Sequence, residues 1–166
     1  MAAGRRGKVL MLKKSLIFII ILLVLSSTSY GKTDEEKYLP GLQKEYTAKG
    51  VVWLSIDSSA PGQQGNLPPQ GLNQFMNDRS GSPTAIFEDT DGRIGHLYGA
   101  QTTPHMFVID PKGILIYQGA IDDIPSPDID DLKTAKNYVS AALDAAMNGK
   151  PVVVSSTKSY GCSVKY

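Results

Sequence analysis

Met106-Phe107-Val108-Ile109-Asp110-Pro111-Lys112-Gly113-Ile114-Leu115-Ile116-Tyr117 is the stretch on which the fold turns. Its two apolar runs, Met106 to Ile109 and Ile114 to Tyr117, flank a linker with Asp at the first, Pro at the second and Gly at the fourth position of a type I turn. This predicts an antiparallel hairpin buried on both faces. Toward the carboxyl end, Leu132, Ala135, Val139, Ala142, Leu143 and Ala146 form an apolar stripe at helical spacing. They predict one helix from about Asp128 to Asn148, opened by Pro127 and closed by Gly149. The remainder, ending in Gly161-Cys162-Ser163-Val164-Lys165-Tyr166, reads as a short polar tail.

Toward the amino end the same alternation of layers continues. Thr84 to Phe87 can form a strand, and Asp89-Thr90-Asp91-Gly92 is a turn into a short helical piece through Ile94, Leu97 and Tyr98, stopped by Gly99. Leu72, Phe75 and Met76 share one face of a helix ending near Gly81. From Ser58 to Gln70 the chain holds Pro61, Gly62, Gly65, Pro68 and Pro69, a loop that is long for a compact domain and either functional or a plain insertion. Val51 to Ile56 reads as a strand, rich in β-branched and aromatic residues. Before it, Thr33-Asp34-Glu35-Glu36 offers a capping box, and Leu39, Leu42 and Tyr46 come next at helical spacing. Pro40 implies either a kink or a helix that starts there. Helices alternating with buried strands indicate an α/β layer architecture.

The composition is that of an ordinary globular domain: 166 residues, 42% apolar and 20% charged, with a single cysteine. One thiol excludes an intrachain disulfide, a C-x-x-C pair and a thiolate zinc cluster. Residues 1–31 carry five basic side chains and no acid; the rest carries 12 Lys and Arg against 16 Asp and Glu, with no basic stripe, so no nucleic-acid partner is expected. The basic start runs into ten apolar residues, Leu16 to Leu25, and then Ser26-Ser27-Thr28-Ser29, the layout of a secretory leader. Ten helical residues rise only about 15 Å, roughly half a bilayer's hydrocarbon core, so no stable membrane span is expected unless the leader stays uncleaved. The rival reading is a buried central strand, which is also continuously apolar. The expected organisation is thus 1–31 as leader or retained first strand, a domain over 32–157, and a tail over 158–166, with an exported, periplasmic or extracellular location.

Tyr98-Gly99-Ala100, Thr103-Pro104, Phe107-x-Ile109-Asp110, Gly113, Ile116-Tyr117-x-Gly119 and Asp122-Asp123 together resemble the second half of thioredoxin-like redoxins. Gly161 to Tyr166 is similar to the Gly-Cys-Ser-(Ile/Val)-Lys-aromatic ending of exported bacterial members of the alkyl hydroperoxide reductase and thiol-specific antioxidant group. Tyr38-Leu39-Pro40-x-Leu42 is similar to the segment after that group's active site. The resemblance covers about Tyr38 to Tyr166. It implies a thioredoxin-like α/β fold, a central mixed sheet with helices on both faces, whose first central strand is either missing or supplied by residues 16–25. It also implies a thiol–disulfide or peroxide oxidoreductase, an antioxidant in cell redox homeostasis, working without a cofactor and with a peptide or protein-thiol partner. Thr103-Pro104 would be the cis-proline element, whose preceding backbone pairs with an extended substrate.

The chain departs from that pattern at the catalytic position. The family thiolate sits at the amino end of the first helix, where free N–H groups lower its pKa. By count from Tyr38-Leu39-Pro40 this falls near Lys32, and neither Lys32 nor Thr33 exchanges thiols. Cys162, flanked by Lys158 and Lys165, is the one remaining thiol candidate, without a resolving partner in the chain. Asp122, Asp123, Asp128, Asp130 and Asp131 lack the spacing of a calcium loop, and no metal is expected. His96 and His105 read as a surface and a strand histidine, and Tyr38 and Tyr46 as core. Three functions are open: a redoxin by descent, a non-catalytic thioredoxin-like peptide-binding module using Thr103, Pro104 and the 58–70 loop, or a truncated, nonfunctional relative.

Overall fold

The structure, a computed structural model, describes residues 18–22, 35–126 and 129–166, with 18–22, 35–37 and 129 described by their backbone alone. The element order is β1 (Phe18–Leu22), α1 (Glu35–Ala48), β2 (Val52–Asp57), α2 (Pro69–Asp78), β3 (Ala85–Glu88), α3 (Arg93–Tyr98), β4 (Thr102–Thr103), β5 (His105–Ile109), β6 (Leu115–Gly119), α4 (Ile129–Leu132), α5 (Tyr138–Met147) and β7 (Cys162–Ser163). Five strands form the main sheet in the order β3-β2-β1-β5-β6, and β4 and β7 form a separate two-stranded ribbon. β1 runs parallel to β2 and antiparallel to β5, each over five residue pairs. The apolar run that read as leader or strand therefore supplies the sheet's central strand.

Side chains that alternate across the strands build two cores. On one face Trp53, Met106, Val108 and Tyr117 pack against Leu42 and Tyr46 of α1 and Val139, Ala142 and Leu143 of α5. On the other, Ile56, Phe107 and Ala100 are covered by Ile94 and Tyr98 of α3 and by Val164 of the tail. Helices thus lie on both faces of a mixed sheet, as expected.

The hairpin is present: Gly113 N–H donates to the Asp110 carbonyl at 2.9 Å, while the Asp110 carboxylate accepts from the N–H groups of Lys112 and Ile114 at 2.8 and 2.9 Å. Only β5 is buried on both faces, because β6 is the sheet's last strand and leaves Ile114 58% and Leu115 44% exposed. Pro40 neither starts α1 nor breaks it but lies inside it. Near the helix start its missing N–H removes a single intrahelical bond. The Thr33 cap lies outside the described residues.

The helix expected over 128–148 is two helices. The Asn137 side chain accepts the Ser140 N–H at 2.7 Å and so caps α5, its backbone pairs with Asp122, and its Nδ2 donates to the Tyr38 hydroxyl at 2.5 Å. These contacts outcompete five more helical residues, 133–137, and the chain turns at Lys133 and Thr134 instead. Among the described residues no helix is long and apolar enough to cross a membrane.

Two predictions rest on this architecture. A chain starting at Lys32 leaves β2 and β5 without their shared neighbour, and is expected to lose the cooperative unfolding transition that the full chain shows in a thermal melt followed by circular dichroism. Leu143→Ala, at a fully buried site between α5 and the sheet, is expected to cost about 3 kcal/mol in urea unfolding.

Candidate functional site

The sheet register gathers one set of strand ends. Leu22 at the end of β1 is opposite both Ile56, near the end of β2, and His105, the first residue of β5. The Thr103–Pro104 bond, immediately before His105, is cis. The site expected at Thr103 and Pro104 thus lies at the carboxyl edge of the two parallel strands, beside the Asp57-Ser58-Ser59 turn that leaves β2. Lys32 lies outside the described residues.

That turn and the one after β3 are tied by buried carboxylates. Asp89 accepts the Ser58 hydroxyl at 2.5 Å and the N–H groups of Ile94 and Gly95 at 2.9 and 2.8 Å. The two N–H groups belong to the first turn of α3, where no intrahelical acceptor exists. Burial alone would raise the Asp89 pKa, but these hydrogen bonds favour the anion more strongly and hold it below the usual carboxylate range. Asp57 accepts the N–H and the hydroxyl of Ser59 at 3.2 and 2.6 Å. Here burial prevails over the hydrogen bonds and pushes the carboxyl up, with the nearby Glu88 charge adding to it. His105 is buried, stacked on Phe107, and accepts the Gln101 N–H through Nδ1 at 3.3 Å; burial lowers its pKa.

The tail, which read as short and polar, is folded onto this edge. Gln118 N–H donates to Ser155, and Thr157 N–H to Gln118, both at 3.0 Å, carrying the chain along β6. The Thr157 hydroxyl meets the Tyr117 hydroxyl at 2.8 Å and accepts the Ala120 N–H at 2.9 Å. Tyr160 then donates to the Asp122 carboxylate at 2.5 Å. β7 pairs antiparallel with β4, Cys162 opposite Thr103 and Ser163 opposite Thr102. Val164 N–H donates to Gln101 at 3.1 Å, and the Lys165 carbonyl accepts from Ala60 at 2.8 Å. Tyr166 stacks on His96 at 3.9 Å between ring centres and donates its hydroxyl to the Ala100 carbonyl at 2.9 Å.

Three glycines make this seat possible. Gly161, at φ +123°, lies so close to the Thr103 carbonyl that any Cβ would collide with it. A Cβ on Gly92 or Gly95 would meet the Tyr166 ring at 2.6 Å. The 58–70 loop is fastened to the tail through Ala60 and closed on itself by Asn66, whose Nδ2 donates to the Ser59 carbonyl at 3.1 Å. Its last two residues belong to α2.

The structure thus brings Thr103, Pro104 and Cys162 together, and leaves the thiol free and exposed. The Thr103 hydroxyl beside it is buried with no hydrogen-bond partner among the described residues. The acidic residues serve elsewhere: Asp122 holds Tyr160, Asp123 accepts the Lys136 N–H at 2.8 Å, and Asp130 meets Lys133 at 2.5 Å, whereas Asp128 lies outside the described residues. Among the described residues no group of three potential ligands could hold a metal. His96 has a role that sequence did not show, as the ring on which Tyr166 lies. The β4–β7 ribbon also escaped sequence reading, because strands of two residues carry no periodicity.

No family model and no curated protein matches the chain. Solved structures do. A hypothetical protein of Sinorhizobium meliloti 1021 is 21% identical with a TM-score of 0.74, covering 92% of this chain and 81% of its own. An uncharacterised conserved protein of Geobacillus kaustophilus is 23% identical with a TM-score of 0.73, covering 92% and 78%. A protein of Neisseria meningitidis assigned as a thioredoxin is 18% identical with a TM-score of 0.50, covering 79% and 77%. The fold is thioredoxin-like.

The raised Asp57 pKa has a measurable sign. The folded chain binds that proton more tightly than the unfolded one, so this group's contribution favours folding below the ordinary carboxylate pKa of about 3.9 and is lost as pH rises through the higher folded value. Asp57→Asn, which can still accept from Ser59, is expected to remove that decline, seen as a smaller loss of melting temperature between pH 4 and neutrality than in the parent chain.

Proposed function

We propose that this thioredoxin-like protein is a single-thiol redoxin in which Cys162 stands in for the absent thiolate of the first helix. The observation that carries this reading is the pairing of Cys162 with Thr103, one residue before the cis-proline. The fold supports the general class, and the exposure of the thiol supports reaction with a partner in solution.

The chemistry is an exchange in two steps. The Cys162 thiolate attacks one sulfur of a partner disulfide, forming a mixed disulfide while the electron pair of the broken bond leaves with the other sulfur as a thiolate. An external thiolate then attacks the partner's sulfur in the mixed disulfide and releases Cys162 as thiolate. Toward a peroxide the same thiolate would break the O–O bond, giving a sulfenic acid and an alcohol or water, and two external thiols would restore it. The external thiol is a necessary co-reactant, since the chain has one cysteine. The peptide-binding reading is favoured by a separate observation: an extended segment does lie along the Thr102–Thr103 edge, and it is the chain's own.

We also propose that Phe18–Leu22 stays with the folded chain, because it pairs with a strand on each side. Export would then have to spare it, and the intact mass of protein from its producing cells reads this directly.

Full-length protein incubated with glutathione disulfide is expected to gain one glutathionyl group by intact mass, and to reduce insulin disulfides or a peroxide at the expense of dithiothreitol. Cys162→Ser is expected to lose the adduct and to drop turnover at least tenfold. Equal rates in the two proteins would overturn the reading and leave the oxidoreductase likeness as a matter of fold.

A further inference from the structure

Resting on the peptide-binding reading of the Thr102–Thr103 edge, we propose that this edge, with Pro104 and the floor made by Gly92, Gly95 and His96, forms a seat selective for a glycine and a distant aromatic ring, of which the chain's own tail is a resident, displaceable occupant. The ligand class is set by the geometry. It is an extended segment with glycine against the Thr103 carbonyl and an aromatic hydroxyl-bearing ring five residues later.

Two recognition elements lie at the two ends of the seat. At one end, pairing with β4 is main-chain recognition, which any extended segment can satisfy. It becomes selective because no Cβ fits at the Gly161 position against the Thr103 carbonyl. At the other end the site discriminates by shape: the ring of Tyr166 lies where two missing Cβ atoms leave room, against the His96 ring, and its hydroxyl is read by the Ala100 carbonyl. Between them Val164 packs on the cluster of Ile56, Ala100 and Phe107, and Ala60 reads the Lys165 carbonyl. The floor glycines are explained by the ring that covers them. Gly95 continues inside α3, where glycine weakens a helix, and Gly92 takes a left-handed φ of +68° at its start.

The occupant is displaceable because its hold is small. β7 is two residues long, and Cys162 and Ser163 are exposed. The tail competes chiefly through its attachment, which gives it an effective concentration on the order of millimolar at the seat. A free peptide with the same contacts must exceed that concentration, or the tail must be loosened.

The test needs no thiol chemistry, so its outcome is independent of the redox reading. Full-length protein carrying Cys162→Ser is compared with the same protein carrying in addition Gly161→Val, which clashes with Thr103, or Tyr166→Ala, which empties the floor. The probe is a fluorescent peptide, Tyr-Gly-Ser-Ser-Val-Lys-Tyr, read by anisotropy, and Trp53 emission with the thermal melt checks that each variant is folded. Both loosened variants are expected to bind at least tenfold more tightly than the parent, and a peptide ending in Ala is expected to lose that gain. In hydrogen exchange on the Cys162→Ser parent, the Val164 amide is expected to exchange at least a hundredfold faster than that of Val108, and Tyr166→Ala to speed it further. Equal, weak binding by all three proteins, indifference to the last aromatic, or Val164 exchange as slow as the core would each overturn the proposal. So would a parent protein that is dimeric by light scattering and becomes monomeric on Tyr166→Ala, which would assign the seat to the tail of a second copy.

Discussion

A strand at the centre of a sheet must find hydrogen-bond partners on both edges, and β1 does so with a parallel neighbour on one side and an antiparallel one on the other. That single arrangement fixes which residues meet at the site. Because β5 runs against β1 and β2, its first residue lies at their carboxyl ends, and the two residues before it, Thr103 and Pro104, are delivered to the edge where β2 gives out into Asp57 and Ser58. Reversing either pairing would send the cis-proline to the opposite end of the molecule. The helices are placed by the same sheet: α1 and α5 cover Trp53, Met106, Val108 and Tyr117, and α3 covers Ile56 and Phe107.

The edge is held by carboxylates in two different electrostatic situations. Asp89 has enough donors to remain an anion in spite of burial, and so acts as a fixed negative post between Ser58 and the start of α3. At Asp57 burial, with the Glu88 charge adding to it, prevails over the hydrogen bonds it accepts. Two acids on neighbouring turns are therefore pushed apart in proton affinity by the balance between burial and hydrogen bonding at each. The start of the loop at Ser58 and Ser59 and the start of α3 draw their placement from these posts.

Sequence patterning revealed those parts of the fold whose signal is local and strong. The Asp110-Pro111-Lys112-Gly113 turn carries its own geometry, and the run from Val51 to Ile56 and the short helix ending at Gly99 are bounded by residues with few alternatives. Leu16 to Leu25 was legible as apolar but not as a strand, because a doubly covered strand and a leader demand the same side chains. The helical stripe from Leu132 to Ala146 misled because periodicity does not see competitors: Asn137 does more by capping α5 and pairing with Asp122 than by continuing a helix. The site was half legible. Thr103 and Pro104 were found through resemblance, whereas the partner strand lies about sixty residues further on and pairs through backbone atoms, which leave no mark on side-chain pattern.

The segment between Gly149 and Ser155 crosses the surface with Val153 96% exposed, before Ser155 and Thr157 dock on β6. It is the natural place for a protease to cut. A nick there would leave the carboxyl-terminal piece held by Thr157, Tyr160, the β7 pairing and the Tyr166 ring, without the covalent link that keeps it concentrated at its seat. The molecule would become a two-piece particle whose severed piece dissociates on dilution. In this chain the peptide bonds of that crossing decide how concentrated the tail is, while the side chains of the domain decide where it goes.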